Sequence, residues 1–327
     1  MRETGEILFL SRSEIEEIFT PIDAFNICKK TFKWINEGKV NQVHNKELLT
    51  HLATSGIADY CLPYTAHIKH LKVCGIKWLS VYNSNLAKGL PYHSGVNILN
   101  EIETGFPIAI MEALSITSLR TAGNAGVGAK YLAKKGSEII TLIGCGREAR
   151  WHLRLMNQLF KLKEVRIFDI EKKSALKFKK EMEDIVKLEI CLFSSIEKAV
   201  RGADIVCEVT TSDYPIIMEN WIENGCHIVG TNIRGIDPKL TSKVDKWVLG
   251  NRESDLRWIE AKPEKYSKEY IYASLDEIVV GMKAGREDDG EKTLVTHRGM
   301  GALDVAAMYV IYNKALQKGV GTKLNLI

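Results

Sequence analysis

No CxxC pair occurs anywhere in these 327 residues. The seven cysteines (Cys28, Cys61, Cys74, Cys145, Cys191, Cys207 and Cys226) are odd in number and scattered, most of them in apolar surroundings as buried free thiols are. That leaves no zinc site and no disulfide framework to expect, and fits a reduced cytoplasm. No basic tract with interleaved aromatics appears, and 45 Lys and Arg against 41 Asp and Glu leave a net charge of only +4. The chain therefore lacks the electrostatic footprint of a nucleic-acid binder. No apolar stretch approaches the ~20 residues that cross a bilayer. The first residues, MRETGEILFL, are charged, and their apolar run is too short for a secretory leader. His93, His227 and His297 stand alone without metal-ligand spacing, so no metal is expected and each reads as a hydrogen-bonded structural residue. No internal repeat is visible. What remains is a cytoplasmic protein, 45% hydrophobic and 26% charged, long enough for two domains and suited to a small soluble ligand.

The most informative stretch that is present runs from Glu138 to Asp169. An apolar run, Ile139-Ile140-Thr141-Leu142-Ile143, ends in Gly144-Cys145-Gly146-Arg147-Glu148-Ala149. A segment with Ala149, His152, Leu153, Met156, Leu159 and Phe160 near helical spacing follows, then Val165-Arg166-Ile167-Phe168 and Asp169. Strand, glycine turn, helix, strand, acid is the order that holds a dinucleotide. Gly144 permits the turn, Gly146 lets the backbone approach a pyrophosphate, and Ala149 lets helix and strand pack closely. The helix N-terminus presents unpaired N–H groups to the phosphates. Asp169 stands where an acid accepts ribose hydroxyls and would repel a 2′-phosphate, which favours NAD over NADP, although Arg166, Lys172 and Lys173 are nearby. Cys145 reads as a small packing residue in the turn.

Helical and strand segments alternate after Asp169. Strands are expected at 188–193, 204–209, 226–230 and 246–249, with helices at 172–186 and 195–201 between them. This is an α/β arrangement, a Rossmann-type doubly wound parallel sheet, whose ligands bind beyond the carboxyl ends of the strands. Thr210-Thr211-Ser212 and Thr231-Asn232 lie at such ends. The first part differs. A short strand at 7–10, helix from Arg12 to Glu37 restarting near Pro21, and strand-like runs between Gly56 and Ser84 suggest an α+β substrate-binding and dimerisation domain with a mixed or antiparallel sheet. A long helix over 114–134, with the small-residue run Ala122 to Ala129, joins the two. A last helix over 301–318 is expected to return to the first domain. The domains are placed at 1–118 together with 305–327, and at 119–304. The polar segment Ala284 to Gly290 reads as a solvated loop.

Two cations stand in apolar surroundings. Lys77 lies in Gly75-Ile76-Lys77-Trp78-Leu79, an otherwise apolar strand, where a charge needs a partner or a ligand. Arg120 lies on the apolar joining helix, and its guanidinium matches a carboxylate with two parallel hydrogen bonds. Each is open to a structural reading, Lys77 reaching to solvent and Arg120 in an interdomain ion pair.

Gly75-Ile76-Lys77-Trp78, Asn85, Gly89-Leu90-Pro91, Leu99-Asn100, Glu103-Thr104-Gly105, Pro107-Ile108-Ala109, Arg120-Thr121-Ala122 and Ile143-Gly144-Cys145-Gly146 resemble, in order and spacing over nearly the whole chain, the ornithine cyclodeaminase/μ-crystallin family. The resemblance implies an NAD-dependent oxidoreductase acting on C–N bonds and a homodimer formed through the first domains. It also implies Lys77 and Arg120 at a substrate carboxylate. It places Asn85, Thr121, Gly144, Cys145, Gly146, Arg147, Glu148, Asp169, Thr210, Thr211, Ser212, Met300 and Gly301 at the cofactor. Leu8 to Ser13, Gly285 to Asp289, Gly299-Met300-Gly301 and Val320 to Leu326 resemble one branch of the family. There a secondary amine built on glutamate is oxidised and the imine hydrolysed to 2-oxoglutarate and 2,3-diaminopropionate.

Two positions depart from the family pattern. Ornithine-cyclising members place a catalytic aspartate just beyond the strand after His227. Here that place falls near Arg234, and Asp237 is displaced, which counts against cyclisation and leaves the general base unassigned, with Asp237 as its candidate. Relatives supply a further carboxylate-binding arginine in the segment from Val40 to Leu49. Here only His44, Asn45 and Lys46 stand there, with Lys46 or His44 as the substitute.

Overall fold

In the computed structural model, which describes residues 5–43, 48–52 and 58–327, the apolar alternating runs become strands and the helical patterns become helices. Local chemistry sets the boundaries. The predicted helix over 12–37 is two helices, α1 (Arg12–Ile18) and α2 (Pro21–Asn36). The second starts at Thr20, whose hydroxyl accepts from Asp23 N at 3.3 Å while its own N–H donates to the Asp23 carboxylate at 2.9 Å, with Pro21 in the first turn.

By contacts the chain divides into one unit of Met1–Arg120 with Met300–Ile327 and a second of Thr121–Gly299. The first unit holds β1 (Glu6–Leu10), β2 (Val40–Val43), β3 (Leu48–Leu52), β4 (Ala58–Ile68), β5 (Val73–Val81), β6 (His93–Glu101) and β7 (Pro107–Glu112). A last strand, β16 (Thr322–Asn325), joins them in the order β16-β1-β7-β6-β5-β4-β2, with β3 on β4. The sheet is mixed: β1 and β7 are parallel and the other pairs antiparallel. The C-terminal helix, α9 (Gly301–Lys318), packs on β4, β5 and α2. Two glycines permit that approach. A Cβ at Gly301 would sit 2.6 Å from the Thr65 carbonyl oxygen of β4, and one at Gly75 would sit 3.3 Å from Val305.

The boundary between the units falls inside the long helix α3 (Ala113–Leu132). The second unit is an all-parallel sheet of β8 (Ile139–Ile143), β9 (Glu164–Phe168), β10 (Ile190–Leu192), β11 (Ile205–Glu208), β12 (His227–Gly230), β13 (Lys246–Leu249), β14 (Ile271–Ser274) and β15 (Thr293–Thr296). The order is β10-β9-β8-β11-β12-β15-β13-β14. The connections run outward both ways from β8 and β11, so the switch point lies between those two strands. Its helices are α4 (Arg147–Leu159), α5 (Lys172–Val186), α6 (Ile196–Val200), α7 (Arg252–Glu260) and α8 (Leu275–Val279). Within this unit α3 lies close because Gly126 faces Leu155 and Gly128 faces Val295, where added Cβ atoms would stand at 2.5 and 3.0 Å.

The segment 284–291 is more than a solvated loop. Arg286 donates to the carbonyls of Leu132 and Glu291, and Lys246, only 4% exposed, donates to the Gly285 carbonyl and pairs with Glu287 and Glu291.

Candidate active site

In the first unit the alternation of β5 puts Lys77 on the same face as Val73, Leu79 and Val81. Its ammonium is fully buried, 2.8 Å from Asp304 Oδ2 and 4.1 Å above the centre of the Tyr64 ring. Arg120 is 4% exposed, and its Nε donates to Asp304 Oδ1 at 2.9 Å. The two cations singled out by sequence therefore meet on one carboxylate, which α9 supplies from its first turn. Asp304 was not singled out, yet the rule that flagged Lys77 applies equally to an acid in Gly301-Ala302-Leu303-Asp304-Val305-Ala306. The arrangement holds two hydrogen-bond donors rigidly in a desolvated setting, where anion recognition is strong.

Asn85 sits in the 3-10 turn Asn83–Lys88, its amide donating to the Pro91 carbonyl at 3.0 Å. Thr121 is buried on α3 in the second unit. Met300 is buried and precedes α9, and the glycine at 301 is required by the backbone of Thr65. Lys46 and His44 lie outside the described residues.

In the second unit the β8–α4 turn fits a dinucleotide. Gly144 has φ of +96°, and a Cβ there would meet Thr210 Cγ2 at 2.9 Å and the Val209 carbonyl oxygen at 3.0 Å. Gly146 caps α4 without a side-chain hydrogen bond, and a Cβ added to it would meet nothing, so its surface is open for close approach. Arg150 steadies the turn by donating to the Cys145 and Gly146 carbonyls, each at 2.8 Å. Arg147 and Glu148 open α4, and Ala149 is fully buried. Cys145 is buried, and desolvation with Asp169 nearby pushes its thiol up to about 12, which leaves it an inert packing group. Asp169 accepts from Cys145 N at 2.7 Å and from Glu171 N at 2.8 Å. Each carboxylate oxygen keeps a second lone pair for a ribose hydroxyl. Arg166 is engaged by Glu164 at 2.8 Å and by the Arg201 carbonyl at 2.6 Å.

Thr210, Thr211 and Ser212 follow β11 beside the glycine turn. Glu208, at the end of that strand, is fully buried and accepts from Thr210 N and Asn232 N, both at 3.0 Å, and from the Thr210 hydroxyl. Asp237 has another occupation. It caps the 3-10 helix Pro238–Ser242, accepting from Lys239 N at 3.0 Å and Glu219 N at 3.3 Å. Arg234 is exposed, bound to Asp213 and to Asn232 Oδ1. His227 is buried with Nδ1 2.8 Å from Thr293 Oγ1, and desolvation drives its pKa down to about 3, so it is a neutral structural residue. Among the described residues no group of three or more His, Cys, Asp and Glu could hold a metal, and no helix is long and apolar enough to cross a membrane.

Fold and site together define an α/β protein with a dinucleotide turn in one unit and a buried lysine–aspartate–arginine cluster in the other. The chain belongs to the ornithine cyclodeaminase/mu-crystallin family, which matches residues 6–319. It is 33% identical to the alanine dehydrogenase of Archaeoglobus fulgidus over 98% of both chains. It is 32% identical to the N-((2S)-2-amino-2-carboxyethyl)-L-glutamate dehydrogenase of Staphylococcus aureus, over 98% of this chain and 99% of that one. The Δ1-pyrroline-2-carboxylate reductase of Thermococcus litoralis, solved with NADH and L-proline, superposes with a TM-score of 0.90 at 31% identity, covering 97% of this chain and 99% of that one.

Proposed function

We propose that the protein is an NAD-dependent oxidoreductase acting on the C–N bond of an amino-acid-derived amine. Its substrate is N-(2-amino-2-carboxyethyl)-L-glutamate, and its products are 2-oxoglutarate and 2,3-diaminopropionate. The observation that carries this reading is the convergence of Lys77 and Arg120 on Asp304, supported by the relative of that activity at 32% identity. Asp169 favours NAD over its 2′-phosphate. The reading includes a homodimer in the cytoplasm.

NAD, when bound, supplies the hydride acceptor. Lys77 and Arg120 hold the α-carboxylate of the glutamate portion, and Asp304 fixes both cations so that the Cα–H bond is presented in one orientation. The carbon gives up its hydride and the amine its proton, and water adds to the resulting C=N bond and splits it. Overall, the secondary amine, NAD and water give 2-oxoglutarate, 2,3-diaminopropionate, NADH and a proton. Asp237 is committed to a helix cap, so the acceptor of the amine proton is not assigned to it.

A second reading, alanine dehydrogenase, is favoured by the 33% relative. One assay separates the two and also tests related reactions of the family. The protein is incubated with NAD and, in separate vessels, the glutamate conjugate, L-alanine and L-ornithine, and with NADH and Δ1-pyrroline-2-carboxylate. NADH with 2-oxoglutarate from the conjugate supports the proposal. Turnover confined to alanine, proline from ornithine without net NADH, or NADH consumption with the cyclic imine would replace it.

A further inference from the structure

Through its side chain Glu208 ties the start of the loop after β11 to the start of the loop after β12, and these two strands are adjacent in the middle of the nucleotide sheet. On the β11 side its Oε1 accepts from the backbone N–H and the hydroxyl of Thr210. On the β12 side its Oε2 accepts from Asn232 N at 3.0 Å, while its own backbone carbonyl accepts from Thr231 N at 3.1 Å. Asn232 continues the link, donating from its amide to the Ser212 carbonyl at 2.7 Å. The packing around the carboxyl is tight. A Cβ at Gly235 would stand 2.7 Å from Glu208 Cδ. Thr210 in turn lies against Gly144, the turn glycine of the dinucleotide site.

We infer that Glu208 is a positioning residue for the cofactor. Its ionised carboxylate clamps the loop 210–212 to the loop 231–235 and so sets the shape of the wall that NAD meets. This rests on the reading of the β8–α4 turn as the NAD site. The charged form can accept from all three donors at once, and such charge-assisted bonds are roughly twice as strong as neutral ones. Protonation converts one oxygen into a donor. Two N–H groups and a hydroxyl hydrogen then compete for fewer acceptors, and one loop is released.

Burial pushes the Glu208 carboxyl up to about 7, against the pull of Thr210, Asn232 and the positive charge of Arg234. Arg234 from the β12 loop is the cation that faces it, and Cys207 is its titratable neighbour on β11. The clamp therefore loosens as pH falls through neutrality.

The test measures NAD affinity of the whole protein between about pH 6 and pH 8.5, for the natural chain and for Glu208→Gln. The natural protein is expected to bind NAD several-fold more tightly at the alkaline end, with an inflection near neutrality. Glu208→Gln keeps the shape but offers a single acceptor, so it should bind NAD about tenfold more weakly at high pH, a loss of ~1.4 kcal/mol, with no inflection. Thr210→Val removes one donor to the carboxylate and should move the inflection to higher pH, which keeps the test open if the glutamine variant fails to fold. A flat profile in the natural protein, or an inflection that survives in Glu208→Gln or stays put in Thr210→Val, overturns the assignment. If NAD binds at no pH, the cofactor reading fails with it. Equal, tight binding by every form sinks the role of Glu208 alone.

Discussion

Replacing Asp304 with asparagine removes the negative charge on which Lys77 and Arg120 converge while keeping the side-chain shape. The ion contacts at 2.8 and 2.9 Å lie among groups that are 0%, 0% and 4% exposed. Water therefore cannot replace what is lost. Breaking a buried pair by removing one partner costs about 3–5 kcal/mol. Asparagine keeps one acceptor oxygen, which places its cost near the lower end, about 3 kcal/mol. In a unit of roughly 150 residues each kcal/mol moves the melting temperature by about 2–4 °C. The unfolding transition of the unit built on β5 and α9 should thus fall by roughly 6–12 °C. Differential scanning calorimetry, with urea unfolding as the check, reads it. The triple replacement Lys77→Met, Arg120→Met and Asp304→Leu should recover most of the loss, since apolar groups of similar volume satisfy a buried site without desolvated charge. It should have no turnover. A loss below about 1 kcal/mol in Asp304→Asn would refute the reasoning, because that is the size of an exposed pair.

Three further outcomes follow from the structure. Lys77→Met keeps the side-chain length and leaves Asp304 paired with Arg120, so kcat/KM should fall at least about a hundredfold, ~2.7 kcal/mol. NAD affinity, measured by titration calorimetry, should stay near that of the natural protein, and an equal fall in both would show Lys77 to be misplaced. Gly144→Ala forces a side chain onto a residue at φ +96° with Thr210 at 2.9 Å. About 1–3 kcal/mol of strain should appear as a lower melting temperature together with weaker NAD binding. Asp255 is 4% exposed and desolvation raises its carboxyl from 3.8 to about 7. Its neutral form is the one the fold prefers, so its contribution to stability is full below about pH 4 and is lost as pH rises towards 7. Asp255→Asn should flatten the decline in urea-unfolding free energy between pH 5 and pH 7 by up to ~1.4 kcal/mol per pH unit; an unchanged slope would show that Asp255 does not titrate in that window.

The parts of this fold that could be read from sequence are those whose pattern is local. Strand β8, the Gly144 turn, α4, β9 and Asp169 follow one another within a few tens of residues, and each element declares itself by its own periodicity. The parts that could not be read depend on distant partners. Strand β15 has only four residues, Thr293 to Thr296, after a charged segment, yet it lies between β12 and β13 in the middle of the sheet. Helices α7 and α8 and strand β14 are short, nine, five and four residues, and went unread. The candidate site shows the same division. Lys77 and Arg120 stood out as charges in apolar runs, but the carboxylate that joins them lies more than 180 positions beyond Arg120, and no spacing rule reaches that far. Asp237 was chosen by proximity to a family position, and the structure gives it a helix to cap. Glu208 went unnoticed because a single acid at a strand end looks exposed until the neighbouring loop closes over it.

The central claim is that this protein moves a hydride from the α-carbon of a carboxylate-anchored amine to NAD. The most direct measurement uses N-(2-amino-2-carboxyethyl)-L-glutamate carrying deuterium at the α-carbon of its glutamate portion, with unlabelled NAD, and analyses the nucleotide by mass spectrometry. The account predicts NADH that carries the deuterium, formed in equal amount with 2-oxoglutarate and absent with Lys77→Met. Unlabelled NADH, or 2-oxoglutarate released without reduced nucleotide, would contradict it.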